Sequence, residues 1–332
     1  MTVYPTDRLP WIDLTKGVAI ALVVLGHCWI GLHSAGLIPD EHLFETIRRG
    51  IYLFHMPLFF IVSGMLIYKV SRLPIWTVLT SRMMLLIYPL ILWTYLMMAG
   101  KWAMGSMAND PVTLDSLNWN PLPAQWQFWF LWALFLLHLL FKLITMAAQR
   151  LDHPLTAYHW AGITCVSTAL AVMTPDLGAL DPYLRPTLLF APFFFLGVCL
   201  HFRSDLPLIT PIWPLLGFVA VQVIAYGLDP STALDMMLAM YATACVMLLC
   251  RWLAEQPGLS RVLRPLIALG AASMAIYLAH TFFSAPIRAI LLRLDITTLL
   301  VHVLLGTLIG IVGPWVLYRI SARLGARRLL GF

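Results

Sequence analysis

Three side chains able to do chemistry sit in one apolar run, residues 11 to 30, which reads WIDLTKGVAIALVVLGHCWI. His27 carries an imidazole that can take a proton near neutral pH or attack as a nucleophile. Asp13 and Lys16 offer a carboxylate and a cation. At 100° per residue, Lys16 and His27 project from one face of a helix and stand about 16 Å apart along its axis. Asp13, three residues before Lys16, shares that face. Ionisable groups at membrane depth point to function, although Asp13 with Lys16 also fits a snorkelling pair at an interface.

Further chemistry lies in two other apolar runs. His55 opens one and His280 closes another, and Ser273, Tyr277 and His280 follow an i, i+4, i+7 spacing that sets a hydroxyl, a phenol and an imidazole in one row. Each histidine also fits a single interhelical hydrogen bond and nothing more. Ser63, Tyr277 and His280 are candidate donors to a developing oxyanion. Three histidines at one depth could hold a metal, but no H-x-x-x-H or C-x-x-C spacing supports that, and none is expected. Cys28 adjoins His27, but neighbours on a helix point about 100° apart, so no Cys-His couple is expected. The five cysteines fall in apolar stretches and read as small hydrophobes.

The elements that must position these groups follow from composition. With 61% hydrophobic and 11% charged residues and a mean hydropathy of +0.86, the 332-residue chain is a multi-pass membrane protein. About ten apolar stretches are long enough to cross a bilayer as helices. They cover 11 to 30, 51 to 68, 83 to 99, 127 to 146, 158 to 174, 187 to 202, 211 to 227, 233 to 250, 265 to 284 and 298 to 318. The sixth is short and carries Pro186 and Pro192. The expected fold is therefore an all-α polytopic helix bundle forming a single domain over 1–332, with no cleavable leader and no fused soluble domain.

Placing the N-terminus inside puts most of the 21 Lys and Arg residues on the inner side, among them Arg8, Lys16, Arg72, Arg82, Arg203, Arg264, Arg319 and Arg327. Arg48, Arg49 and Arg288 fall outside. Both termini are then expected to be cytoplasmic, with Lys16 near the inner face and His27, His55 and His280 together near the outer one. The basic residues are scattered between apolar runs, which excludes a nucleic-acid patch.

Two outer loops are long. Residues 31 to 50 hold DEHLFETIRR, expected as an interfacial helix with Leu43, Phe44 and Ile47 on its apolar side. Residues 100 to 126 mix Asn109, Asp110, Asn118, Trp119, Asn120 and Trp126, a set that could grip a sugar or form an aromatic belt at the interface.

At these residues the chain resembles the acyltransferase type 3 family of integral-membrane O-acyltransferases, which includes exopolysaccharide, lipopolysaccharide and Nod-factor O-acetylases. Ile12 to His27 is similar to the family's first-helix signature, a basic residue followed by a histidine. FHMPLFFIVSG, Phe54 to Gly64, is close to its second-helix pattern, and Trp129-Phe130-Leu131 and SMAIYLAH, Ser273 to His280, match weaker signatures in order. Two departures stand out. Lys16 replaces the usual Arg, exchanging a bidentate fork for a point charge. A third-helix pair of arginines is represented by Arg82 alone, with Leu85 at the second place.

The resemblance implies an acyl-CoA donor, acetyl-CoA in the simplest case, used as co-substrate with no bound cofactor, and a glycan or glycolipid acceptor, in a bacterial-type inner membrane whose lipids surround the bundle. Lys16, Arg72 and Arg82 are then the expected contacts for the donor, and His27 the base or the acyl carrier. A proton-coupled sugar exporter using the histidine row as a relay is the rival reading.

Overall fold

Pro10 is where the first helix can begin. A proline at the first helical position gives up only an N–H that has no partner there anyway, and the helix it starts, α1, runs Pro10–Ser34. The structure, a computed structural model, describes residues 9–105, 119–202, 207–229 and 231–332. Arg8, Asn109, Asp110, Asn118 and Arg203 lie outside them.

Among the described residues there are thirteen α-helices and no strand. After α1 come α2 (Glu41–Tyr52), α3 (His55–Leu66), α4 (Ile75–Arg82), α5 (Tyr88–Met104), α6 (Trp129–Arg150), α7 (Ala157–Met173) and α8 (Asp181–His201). Then follow α9 (Ile212–Gly227), α10 (Thr232–Glu255), α11 (Leu259–Ala271), α12 (Ser273–Arg293) and α13 (Leu299–Arg323). Among the described residues, eight stretches are long and apolar enough to cross a membrane: Pro10–Ser34, Glu41–Arg72, Ile75–Met104, Trp126–Arg150, Gly178–His201, Thr232–Glu255, Ser273–Arg293 and Leu299–Arg323. The chain is a polytopic helical membrane protein.

Three expectations change in detail. The expected spans 158 to 174 and 211 to 227 are helical, but at 17 and 16 residues they reach only about 24 to 26 Å, short of a hydrocarbon core of about 30 Å. The sixth is longer than expected, because α8 begins at Asp181 and carries both prolines inside it. The ninth, 265 to 284, is not one helix: the chain breaks at Ala272, whose N–H bonds back to the carbonyls of Ala268 and Leu269. A run of small residues, Gly270 to Ser273, sits at that break, and hydropathy alone cannot see it.

The chain divides into two units: Met1–Leu58, Ser106–Pro111 and Leu206–Arg327 form the first, and Phe59–Gly105, Val112–Asp205 and Arg328–Phe332 the second. In the first, α1 is the centre, packing on α10, α11, α12 and α13. Leu14, Ala19, Ile20, Val23 and Val24 are sealed from solvent there. The crossing of α1 and α11 is made by two glycines. A Cβ on Gly17 would strike the Leu266 carbonyl, and one on Gly270 the Asp13 carbonyl, so backbone lies on backbone as small residues permit between membrane helices.

The helix α2 starts on Asp40, whose side chain accepts from the Leu43 N–H. Phe44 and Ile47 join Cys28, Trp29, Leu32 and Ile38 in a cluster. Leu43, expected on the same apolar side, is instead 40% exposed, because its position turns it away from α1.

The second unit is built on aromatic packing: Phe60 stacks on Phe190 with centroids 4.7 Å apart, and Phe141 on Trp160 at 5.2 Å. All five cysteines are free, and Cys165 is exposed where a buried hydrophobe was expected.

Candidate active site

The histidines expected at one level are brought together in the first unit. His27 of α1 and His280 of α12 have ring centroids 4.9 Å apart. Tyr52, the last residue of α2, stands 6.3 Å from His27 and 4.6 Å from His55, the latter at an interplanar angle of 83°. The row therefore reads His280, His27, Tyr52, His55. Tyr52 reaches it because Gly26, beside His27, leaves room for its ring.

All three imidazoles are held alike. His27 Nδ1 lies 2.9 Å from the Val23 carbonyl, and His55 Nδ1 lies 2.8 Å from that of Ile51. His280 Nδ1 is shared between the carbonyls of Ile276 and Tyr277 at 3.1 and 2.9 Å. A carbonyl can only accept, so in the neutral ring Nδ1 carries the proton and Nε2 keeps its lone pair. The row thus offers acceptors turned away from their own helices. His280 Nε2 and the Tyr52 hydroxyl are buried without a hydrogen-bond partner, and unmet polar atoms of this kind mark a site built for something else.

Exposure separates the three. His55 is 1% and His280 0% exposed, while His27 is only half-buried. His27 is thus the one of these three rings with part of its surface open.

At the other end of α1, Lys16 Nζ and Asp13 Oδ1 are 2.6 Å apart. Asp13 is buried and Lys16 half-buried, so this i, i+3 pair within α1 is a partly desolvated ion pair rather than two solvated side chains. Tyr277, expected near His280, is buried on α12 one turn before it.

Other expected residues belong to the second unit. Ser63 sits on α3, and its hydroxyl meets His138 Nε2 of α6 at 2.8 Å. It stands eight residues beyond His55 on α3 and holds two helices of its own unit together. Arg72 ends a 3₁₀ turn and is exposed, and Arg82 closes α4 with its Nε buried and unpartnered. Trp119 is 63% exposed and its carbonyl accepts from the Tyr95 hydroxyl at 2.9 Å. The Lys101 ammonium lies 4.9 Å over the Trp126 ring.

Sequence reasoning missed two groups. Tyr52 falls at the start of the expected span 51 to 68, where no spacing marks it, and the structure makes it the last residue of α2. Arg288, expected among the outer basic residues with no role in the site, covers Gly31 with its guanidinium, where a Cβ would meet Nη1, one turn beyond His27. It lies within electrostatic reach of Cys28, and among the described residues it makes no ion pair. The i+8 spacing from His280 to Arg288 was the available signal. Among the described residues no three His, Cys, Asp or Glu side chains assemble a metal site.

The helix α2 also leads from Tyr52 to a cavity of about 530 Å³ lined by residues that include His42, Glu45, Arg49, Gln222 and Tyr226. His42 Nε2 and the Tyr226 hydroxyl are 2.8 Å apart in its wall, and Arg49 is fixed by Asp235 at 2.7 Å.

Residues 9–319 match the acyltransferase type 3 family, described as an acyltransferase domain. Two curated relatives are similar over part of their length. One is the nodulation protein NolL of Sinorhizobium fredii, 32% identical over 186 residues, which are 56% of this chain and 46% of that protein. The other is the nodulation protein NolL of Mesorhizobium japonicum, 29% identical over 191 residues, with the same shares covered. The alignments thus span about half the length of these relatives. No solved structure matches.

Proposed function

Because this chain belongs to the acyltransferase type 3 family, over residues 9–319, we propose that it transfers an acyl group, acetyl in the simplest case, from cytoplasmic acyl-CoA to a hydroxyl of an envelope or secreted glycan. Both chain ends are then cytoplasmic, in a bacterial-type inner membrane, and the acceptor approaches from the far side. The single observation that carries this reading is the state of His27: its Nδ1–H is spent on Val23, which leaves the lone pair on Nε2 of a half-buried ring.

In the reaction the acceptor hydroxyl donates to His27 Nε2 and its oxygen attacks the thioester carbonyl. As the C–O bond forms, the proton passes to Nε2. The tetrahedral oxyanion needs donors, and Arg288 and the unpartnered Tyr52 hydroxyl are those nearest at hand. The C–S bond then breaks, and the proton held on His27 leaves with the thiolate as CoA thiol. Attack by His27 itself, giving an acyl-imidazole that the glycan then opens, uses the same residues. The cavity beside α2, with its amide, guanidinium, carboxylate and aromatic lining, has the size and polar mix of a sugar site.

The geometry favours transfer over a proton relay. Each imidazole gives its one N–H to its own helix, so the rings are not linked into a chain of hydrogen bonds along which a proton could hop. The test is transfer from radiolabelled acetyl-CoA to glycan in membranes holding equal amounts of wild type and His27→Gln. Loss of label in the variant is expected, and full transfer would overturn the assignment.

A further inference from the structure

A cavity of about 250 Å³ lies in the first unit at the Asp13 end of α1, walled by α11 and α13. Arg264 of α11, Arg319 of α13 and Arg327 just beyond it line it, with Asp13, Trp315 and Tyr318. The Arg327 guanidinium stacks 4.0 Å over the Tyr318 ring, and that of Arg319 lies 5.5 Å over Trp315. Stacking holds the planar forks in place while leaving their N–H edges free to bond. Arg327 Nε is buried with no hydrogen-bond partner. Among the described residues none of the three makes an ion pair, and the one carboxylate in the wall, Asp13, is already matched by Lys16.

Three guanidinia without counter-ions around one concavity are suited to an anion of more than one charge. The close crossing at Gly17 and Gly270 fixes α11, and with it Arg264, against the first helix. The volume falls below the roughly 300 Å³ at which pockets for drug-sized ligands begin, so the cavity takes a charged end of a ligand and not the whole of it.

We propose that Arg264, Arg319 and Arg327 form a phosphate-binding site that holds the phosphates of the acyl-CoA donor. This assignment rests on the acyl-transfer reading above. From Asp13 to His27 the helix rises about 21 Å. A donor whose acyl group hangs on a long flexible arm spans that distance, whereas a small acyl phosphate does not. An anionic lipid headgroup presents the same phosphate chemistry, and the test separates the two sources.

The full chain in nanodiscs is assayed with two donors carrying the same thioester, acetyl-CoA and S-acetylpantetheine, the second lacking the phosphates. For the Arg264→Gln/Arg319→Gln variant, KM for acetyl-CoA should rise roughly 10- to 100-fold, the range set by losing charge-assisted hydrogen bonds. Its KM for S-acetylpantetheine should stay at the wild-type value, with an unchanged thermal midpoint to certify folding. Arg327→Lys should lie between, since it keeps the charge and loses the fork. Equal changes for both donors, or a loss reversed by altering the anionic lipid content of the disc, would assign the pocket to lipid and overturn the proposal. An unchanged KM for acetyl-CoA in an active variant overturns the site while leaving acyl transfer standing. Wild type that transfers from neither thioester overturns both.

Discussion

His27 and His280 face one another across α1 and α12 with ring planes tilted by 56° and centroids 4.9 Å apart, yet neither donates to the other. Each is tied to its own helix through Nδ1, so their contact is one of packing and of shared lone-pair environment. His280, fully sealed, buttresses the ring that a substrate can reach.

That division of labour gives unequal effects. His280→Phe keeps a flat ring against His27 and removes only the unpartnered Nε2, so kcat should fall by about tenfold. Loss of the base itself should fall in the 10² to 10⁴ range typical of general-base removal. Steady-state rates for His280→Phe beside His27→Gln check this; equal losses would mean that His280 also handles the proton.

Arg288 stands one turn beyond His27 without an ion-pair partner. Removing a single oxyanion donor costs about 10² to 10³ in kcat in well-studied acyl transfer. Arg288→Met should therefore lower kcat by about that factor with KM for either substrate little changed, and Arg288→Lys should recover part of it. A change confined to KM would instead assign Arg288 to acceptor binding.

Much of this site was legible in the sequence, and the reasons are specific. The spacing of Lys16 and His27 fixes a common face on any helix, and alternating spans bring His55 and His280 to the level of His27. The motifs in α1, α3 and α12 that carry the resemblance lie within residues 9–319, the span that matches the acyltransferase type 3 family. What stayed hidden depended on side-chain reach and on backbone breaks. Tyr52 enters the row only because Gly26 has no side chain, and Arg288 folds back over Gly31. The break at Ala272 leaves hydropathy unchanged, since Leu269, Gly270 and Ala271 precede it and Met274, Ala275 and Ile276 follow within a turn. Ser63 follows the His55 motif closely in sequence, but direction along a helix, not proximity in the chain, decided that its partner would be His138.

Ser63 is accordingly expected to matter for stability. Ser63→Ala would leave His138 Nε2 buried with no partner, as its Nδ1 already is, at a cost of about 1–3 kcal/mol. Thermal unfolding in detergent should report a lowered midpoint, while the kcat of the folded fraction holds. An unchanged midpoint with lost activity would place Ser63 in the chemistry instead.

The ion pair in the first turns of α1 tests charge against geometry. Asp13 is 8% exposed and its carboxylate faces Lys16 at 2.6 Å. Deleting one partner strands the other, a change that costs 3–5 kcal/mol for a fully buried pair and less here because Lys16 is half-buried. Lys16→Ala should therefore destabilise the protein, and Lys16→Arg should not, since the family resemblance places a cation there and either side chain supplies one. The double variant Asp13→Asn/Lys16→Met removes both charges and should be more stable than Lys16→Ala alone. If its activity returns as well, the pair serves packing; if stability returns while acyl transfer stays low, the cation acts on the donor side of the reaction. Unfolding midpoints and initial rates on the same four preparations decide between the two, and equal loss in Lys16→Arg and Lys16→Ala would remove charge from the explanation.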